Sequence, residues 1–237
     1  MLLHALRAPV FATNTLVLAP HDGGAAVVVD PGAGVAPLVH EVLAERRLTV
    51  AAIVLTHGHP DHVWGCAAVA ADVPVLIGEG DVERLADPVA HLGPSLRPLF
   101  GQLTDEPWQD VADVRAVGAG PVEPAPGIVL RAISAPGHTA GSTLWQLDGA
   151  DELVGPAFAE AGITSHAGPV VLTGDVLFAG SIGRTDLPGG DEAAMWATLR
   201  ELGTSLPGDA VIVPGHGPAS TMAAERASNP FLARALG

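Results

Sequence analysis

Short unbroken apolar runs, rather than long amphipathic stripes, dominate this chain. Thr15 to Leu18 and Ala25 to Val29 flank His21-Asp22-Gly23-Gly24, whose residues favour a tight reversal. The pattern predicts a β-hairpin closed off by Asp30-Pro31-Gly32. Gly34 to Arg47 sets Val35, Leu38, Val39, Val42 and Leu43 at helical spacing. Val50 to Leu55 reads as a buried strand, Val63 to Ala71 as a helix and Val73 to Ile77 as the next strand. The periodicity then weakens as far as about Pro126. A short helix fits Asp81 to Ala86, and residues 87–110 read as irregular. Strands are predicted again at Ile128–Ile133, Ser142–Leu147 and Val170–Thr173, with a loose stretch from Gly149 to Gly168. Asp191 caps a helix running to Leu202, Ala210–Val213 is a strand and Thr221–Ala227 a short helix. Strands cluster between single helices, with no repeat and no linker. This predicts one α/β (α+β) domain over residues 1–237, its helices outside its sheets.

Composition sharpens the picture. A chain of 237 residues that is 48% hydrophobic is not disordered and can bury a core without disulfides. The single Cys66 excludes an internal bridge and reads as a small buried side chain. Eleven basic residues, all Arg, face 26 acidic ones, for a net charge of −15. Without a basic run there is no footprint for nucleic acid and no attraction to anionic membranes. No apolar run reaches the ~18 residues of a membrane span, and no signal-peptide pattern opens the chain. A cytoplasmic location is the expectation.

The histidines carry the chemistry. Thr56-His57-Gly58-His59-Pro60-Asp61-His62 sets four metal-capable side chains directly after an apolar strand. An extended segment points His57 and His59 to one side. Pro60 forces a turn, and Asp61 and His62 can then face the same pocket from the next helix. The spacing is not that of a helical His-Glu-x-x-His site. His138, Asp175 and His216 share one local design: each follows an apolar strand and is preceded by Gly. Together these are five imidazoles and two carboxylates. Seven is too many for one tetrahedral zinc and suits two metals, three private ligands each and one shared carboxylate. N and O donors of this kind favour zinc, with iron or manganese as alternatives.

This pattern resembles the metallo-β-lactamase superfamily, whose signature is His-x-His-x-Asp-His followed by isolated His, Asp and His. The resemblance spans the chain from Asp30 to His216. It implies a four-layer αββα sandwich with the metals at one edge. It assigns His57, His59 and His138 to the first metal and Asp61, His62 and His216 to the second, with Asp175 bridging. Asp30 matches the family's early strand-end Asp, expected to orient a ligand from behind.

Within the superfamily, Phe178 to Leu187, containing Gly183-Arg184-Thr185-Asp186, is similar to the glyoxalase II branch, as is Pro214-Gly215-His216-Gly217-Pro218. The resemblance implies hydrolysis of a small acyl-thiol ester by a hydroxide bridging two divalent cations, with Asp61 orienting the nucleophile. Arg184 and Asp186 are expected to form a structural ion pair. His166 is expected to be exposed or to border the site, and Trp64 to pack beside the signature. Persulfide dioxygenases share the Gly-Arg-Thr-Asp element but use one iron, and the complete second triad here argues against them. A retired, non-catalytic scaffold is expected to have lost a ligand, and none is lost. The chain departs from the glyoxalase II pattern in its thiol carrier. Only 21 residues follow His216 and the chain has no Lys or Tyr, so the branch's helical domain and its usual glutathione contacts are expected to be missing.

Overall fold

A computed structural model describes residues 1–104 and 106–237. The strands are β1 (Leu2–Arg7), β2 (Asn14–Ala19), β3 (Ala25–Val29), β4 (Thr49–Val54), β5 (Val75–Gly78), β6 (Val114–Val117), β7 (Gly120–Ala125), β8 (Ile128–Ser134), β9 (Thr143–Ala150), β10 (Glu152–Val154), β11 (His166–Gly174), β12 (Leu177–Phe178), β13 (Ser181–Ile182), β14 (Val211–Pro214) and β15 (Ser220–Thr221). One sheet runs in the order β10-β1-β2-β3-β4-β5-β6 and the other β15-β14-β11-β9-β8-β7, while β12 and β13 pair as a small hairpin. The helices are α1 (Ala36–Arg46), α2 (Pro60–Val63), α3 (Cys66–Val69), α4 (Leu96–Leu103), α5 (Pro156–Ala161), α6 (Glu192–Ser205), α7 (Met222–Ser228) and α8 (Pro230–Leu236).

The unbroken apolar runs are explained by burial on both faces, since alternate residues of a strand point to opposite sides. Leu16, Leu18, Val27, Val29, Ala52 and Val54 meet Ile128, Leu130, Trp145, Leu147, Val170, Leu172, Val211 and Val213 between the sheets. The intervening residues Val17, Ala26, Val28 and Ile53 face outward onto Val35, Val39, Val42 and Leu43 of the α1 region. On the other side Leu144, Val171 and Ile212 pack against Met195, Leu199 and Leu202 of α6 and Leu232 of α8. This alternation builds the αββα layering.

Strand direction places the site. β3, β4 and β5 run parallel, so Asp30 and the segment after Val54 lie at one edge of the first sheet. β8 and β11 each run antiparallel to β9, and β14 is parallel to β11. His138, Asp175 and His216 therefore follow strand ends at one edge of the second sheet. The two edges are stitched together where the Thr143 N–H donates to Thr56 O at 2.8 Å and the Trp145 indole donates to Leu55 O at 3.0 Å.

Several local expectations change. The helix predicted over Val63–Ala71 splits into α2 and α3, because the Gly65 N–H leaves the helix to donate to Pro31 O at 2.8 Å. Glu79–Ala86 is a 3₁₀ helix that starts before Asp81. Residues 87–110 are not irregular throughout: Asp87 caps a 3₁₀ turn over Pro88–His91, and α4 follows. Asp105, inside that stretch, lies outside the described residues. The loose stretch 149–168 contains β10, α5 and the start of β11. Strands β1, β6 and β7 and helix α8 carried no readable period. No described helix is long and apolar enough to cross a membrane.

Trp145 links the core to the site, being fully buried and bonded to the carbonyl two residues before His57. Trp145→Ala is expected to cost about 3–5 kcal/mol in chemical denaturation. A loss below about 1 kcal/mol would mean that the sheets do not depend on this ring.

Candidate metal centre

The seven residues converge at the shared edge. His57 Nε2 lies 3.0 Å from His59 Nδ1, which is 2.8 Å from His138 Nε2. His62 Nε2 lies 3.4 Å from His216 Nε2, and Asp61 Oδ2 is 3.6 Å from the first and 3.3 Å from the second. Asp175 reaches both groups: Oδ2 is 3.7 Å from His138 Nε2 and 3.5 Å from His216 Nε2, and Oδ1 is 3.4 Å from His62 Nε2. Gly215 permits this approach, because a Cβ there would lie 2.6 Å from His62 Cε1.

Partners on the far side of each ring decide where the lone pairs point. His138 Nδ1 donates to Arg184 O at 2.7 Å and His216 Nδ1 to Phe11 O at 3.1 Å. A carbonyl only accepts, so in the neutral rings both Nε2 atoms carry lone pairs. His62 Nδ1 donates to Asp30 Oδ2 at 2.9 Å, with the same result. The Thr56 hydroxyl gives its proton to Asp30 Oδ2 at 2.6 Å and therefore accepts from His57 Nδ1 at 3.1 Å. Four imidazoles thus direct bare Nε2 atoms inward. His59 turns Nδ1 inward, and its own Nε2 is buried without a partner, as is Asp175 Oδ1. Convergent lone pairs repel unless a proton or a cation lies between them. The donor set fits divalent metal ions, and three groups of potential ligands each fall within 4.8 Å.

Asp30 acts from behind. It accepts the Thr56 N–H at 2.7 Å, the Thr56 hydroxyl and the His62 ring. Its backbone sits in the left-handed region at φ 47°, a strain of roughly 1–3 kcal/mol for a residue other than glycine. The Thr15 hydroxyl donates to its carbonyl at 2.7 Å and holds the turn.

The two groups differ in charge. Burial, reinforced by neighbouring imidazoles, pushes His57 well below its usual range and His59 to about 3. Burial opposes charge on His62 and His216 as well, but carboxylates outweigh it. Asp61, Asp175 and Asp30 raise His62 well above normal, and Asp175 and Asp61 raise His216 to about 9. Burial alone would raise the carboxylates. His62 and His216 instead hold Asp61 at about 2 and Asp175 well below its usual range.

The Metallo-beta-lactamase superfamily model matches residues 8–216. The chain belongs to this superfamily. An uncharacterized protein of Mycobacterium tuberculosis is 36% identical over 238 residues, spanning 98% of each chain. A hydroxyacylglutathione hydrolase of Cupriavidus taiwanensis is 35% identical over 208 residues, which make up 88% of this chain and 64% of that enzyme. The di-iron-bound crystal structure of TTHA1623 superposes with a TM-score of 0.72 at 28% identity, over 96% of this chain and 98% of that one. The metallo-beta-lactamase fold, with its divalent-metal chemistry and His/Asp clusters, accounts for the arrangement seen here.

A cavity of about 330 Å³ opens onto the centre, walled by Phe11, Leu92, Leu96, Phe178 and Leu187 above His59, Asp61, His138, Asp175 and His216. Phe11 and its neighbour Ala12 are both left-handed, at φ 56° and 59°. Of the other residues singled out in the sequence, Arg184 lines the cavity, whereas Cys66, Trp64 and His166 lie elsewhere. Cys66 is buried in the core, where burial pushes its thiol far up. Trp64 packs on Phe100 and Trp108 at ring separations of 5.0 and 5.4 Å. His166 is half-buried and does not border the centre: it starts the nine-residue β11 that ends beside Asp175, roughly 25 Å of strand away. Arg184 and Asp186 do pair, at 2.6 Å, but their side chains are 50% and 67% exposed, so solvent screens the pair. Arg184 serves the site through its carbonyl on His138. Sequence reasoning missed Thr13, whose hydroxyl donates to Asp61 at 3.2 Å, and the Phe11 carbonyl. Neither residue belongs to a motif.

The raised pKa of His216 sets a pH dependence. Below about 9 its ring holds a proton, which a metal at Asp61, His62 and His216 must displace, so loading there strengthens as pH rises. His57, pushed well below its usual range, and His59, depressed to about 3, hold no proton at neutral pH and offer a metal no such competition. Equilibrium dialysis is expected to show occupancy falling towards one metal per chain as pH drops from about 8 to about 6. Equal loss from both groups would contradict this charge assignment.

Proposed function

We propose that this chain is a binuclear metallohydrolase of small acyl-thiol esters. The observation that carries the reading is the inward convergence of seven donors in two linked groups beneath an apolar-walled cavity. His57, His59 and His138 would hold one divalent ion and Asp61, His62 and His216 the other, with Asp175 shared between the two groups. Zinc suits these donors, with iron or manganese as alternatives. Bound ions supply Lewis acidity, polarising a carbonyl and lowering the pKa of water.

The chain's own residues do the rest. Asp61, kept ionised and anchored by Thr13, orients the attacking water and takes its proton. Phe11, Leu92, Leu96, Phe178 and Leu187 pack the substrate and exclude bulk water. No Lys, Tyr or Cys lines the cavity to protonate a leaving group. That suits a thiolate, whose conjugate acid has a pKa near about 8.5, better than an amine. The hydroxyacylglutathione hydrolase relative supports the same class of substrate.

Metal content measured together with hydrolysis of a thioester panel tests the reading. About two metals per chain and turnover of several acyl thioesters are expected. Asp175→Asn should weaken both sites, since an amide bridges two cations poorly, and should lower kcat severely. One tightly held iron per chain with oxygen consumption in place of hydrolysis would overturn the reading and favour a dioxygenase.

Glutathione is expected to be a poor carrier. The chain has no Lys or Tyr and a net charge of −15, and Arg184 is the one arginine among the residues lining the cavity. S-lactoylglutathione should therefore be hydrolysed with a high KM, and smaller, less anionic thiol esters preferred. Steady-state kinetics on matched lactoyl thioesters decides this, and a low-micromolar KM for the glutathione ester would refute it.

A further inference from the structure

One fully buried carboxylate lies outside the seven donors and touches both loops that carry the first group. Asp81 is 0% exposed and accepts four hydrogen bonds. The Gly58 N–H donates to Oδ2 at 2.8 Å, and the Thr139 hydroxyl to the same atom at 2.7 Å. The Gly141 N–H donates to Oδ1 at 2.9 Å and Arg84 Nε at 3.0 Å. Gly58 stands between His57 and His59, and Thr139 follows His138. One carboxylate therefore spans the two loops whose imidazoles approach within 2.8 Å.

Arg84 completes the brace. It is 5% exposed, and its Nη2 donates to Pro188 O at 2.8 Å, on the loop that also carries Arg184 and Leu187. Its stem lies against Gly58, where an added Cβ would sit 2.7 Å from Arg84 Cβ. Its Nη1 is buried without a partner. A guanidinium so incompletely satisfied beside a cation-binding group is costly unless a counter-charge accompanies it. Asp81 is that counter-charge. The centre's own geometry does not need either residue as a ligand: neither is among the potential ligand groups.

We propose that Asp81, braced by Arg84, is a positioning residue for the first metal, setting the separation between the His57–His59 segment and the His138 loop through its bonds to Gly58, Thr139 and Gly141. The proposal rests on the metal assignment given above. Since the four bonds reach only one side of the centre, loss of Asp81 should act on one site and spare the other.

The test uses the full chain, stripped of metal and titrated with Zn²⁺ by calorimetry. His216→Ala isolates the first group and His138→Ala the second. Adding Asp81→Asn to the first background is expected to weaken zinc binding about 10–100-fold, and to the second less than about 3-fold. Asp81→Asn leaves Arg84 unpaired and should also lower Tm, so the double variant D81N/R84M is included. It should recover much of the Tm without recovering first-site affinity. Thr139→Val removes one of the four bonds and keeps the side chain's shape, which provides a well-folded second reading with a smaller loss confined to the first site. Equal weakening of both sites, or recovery of affinity in step with Tm in D81N/R84M, would show that Asp81 acts only through global stability. Zinc binding indifferent to His138→Ala and His216→Ala alike would overturn the metal assignment instead.

Discussion

Gathering five largely buried imidazoles and three carboxylates at the edge of an apolar sandwich is unfavourable unless their outer atoms are bonded and the inner charges balance. The surroundings of four of the five rings follow from that demand, while His59 Nε2 is left without a partner. Phe11 O, Arg184 O, Thr56 and Asp30 each take one outer ring nitrogen. In the neutral rings their acceptor character leaves the inner nitrogens bare. The same bonds that stabilise the buried rings thus create a field suited to cations. This is why the partners extend so far along the chain, from Phe11 to Arg184.

The demand also explains strained backbone near the site. Asp30, Phe11 and Ala12 are left-handed without being glycine. The turn at Asp30 lets one carboxylate reach both Thr56 and His62. The turn at Phe11 and Ala12 brings the Phe11 carbonyl under His216, while the Asn14 side chain donates to Pro214 O and Gly217 O at 3.0 and 2.8 Å. A rigid two-sheet core can hold such conformations because β2 and β3 beside them are buried on both faces.

Charge divides the centre into unlike halves. The first group consists of imidazoles alone, and burial keeps His57 and His59 neutral. The second places two imidazoles against two carboxylates, so protons are held strongly there in the absence of metal. Asp175, within 4 Å of members of both, couples them. The Asp81–Arg84 brace lies on the side of the first group, where it holds Gly58 and Thr139.

Much of this was legible in the sequence, for definite reasons. Strands buried on both faces are apolar without interruption, so β2, β3, β4, β11 and β14 stood out, and Asp191 announced its helix. The dense His57–His62 segment and the Gly-preceded His138, Asp175 and His216 declared themselves because few other arrangements use such residues after apolar strands. The edge strands β6 and β7, half-exposed and rich in Gly, Pro and charge, had no period to read. Helix α4 was hidden in a Pro- and Gly-rich stretch, where its burial of Phe100 against Phe11 is a tertiary matter. Asp81 looked like any acidic residue of a short helix. Its role comes from Gly58, Thr139 and Gly141, up to 60 positions away. Local sequence therefore determined which residues could bind metal, because ligand chemistry belongs to the side chain. Only the tertiary structure decided which nitrogen of each ring faces inward and which carboxylates stand behind the rings rather than among them, because those choices depend on partners that folding brings from distant parts of the chain.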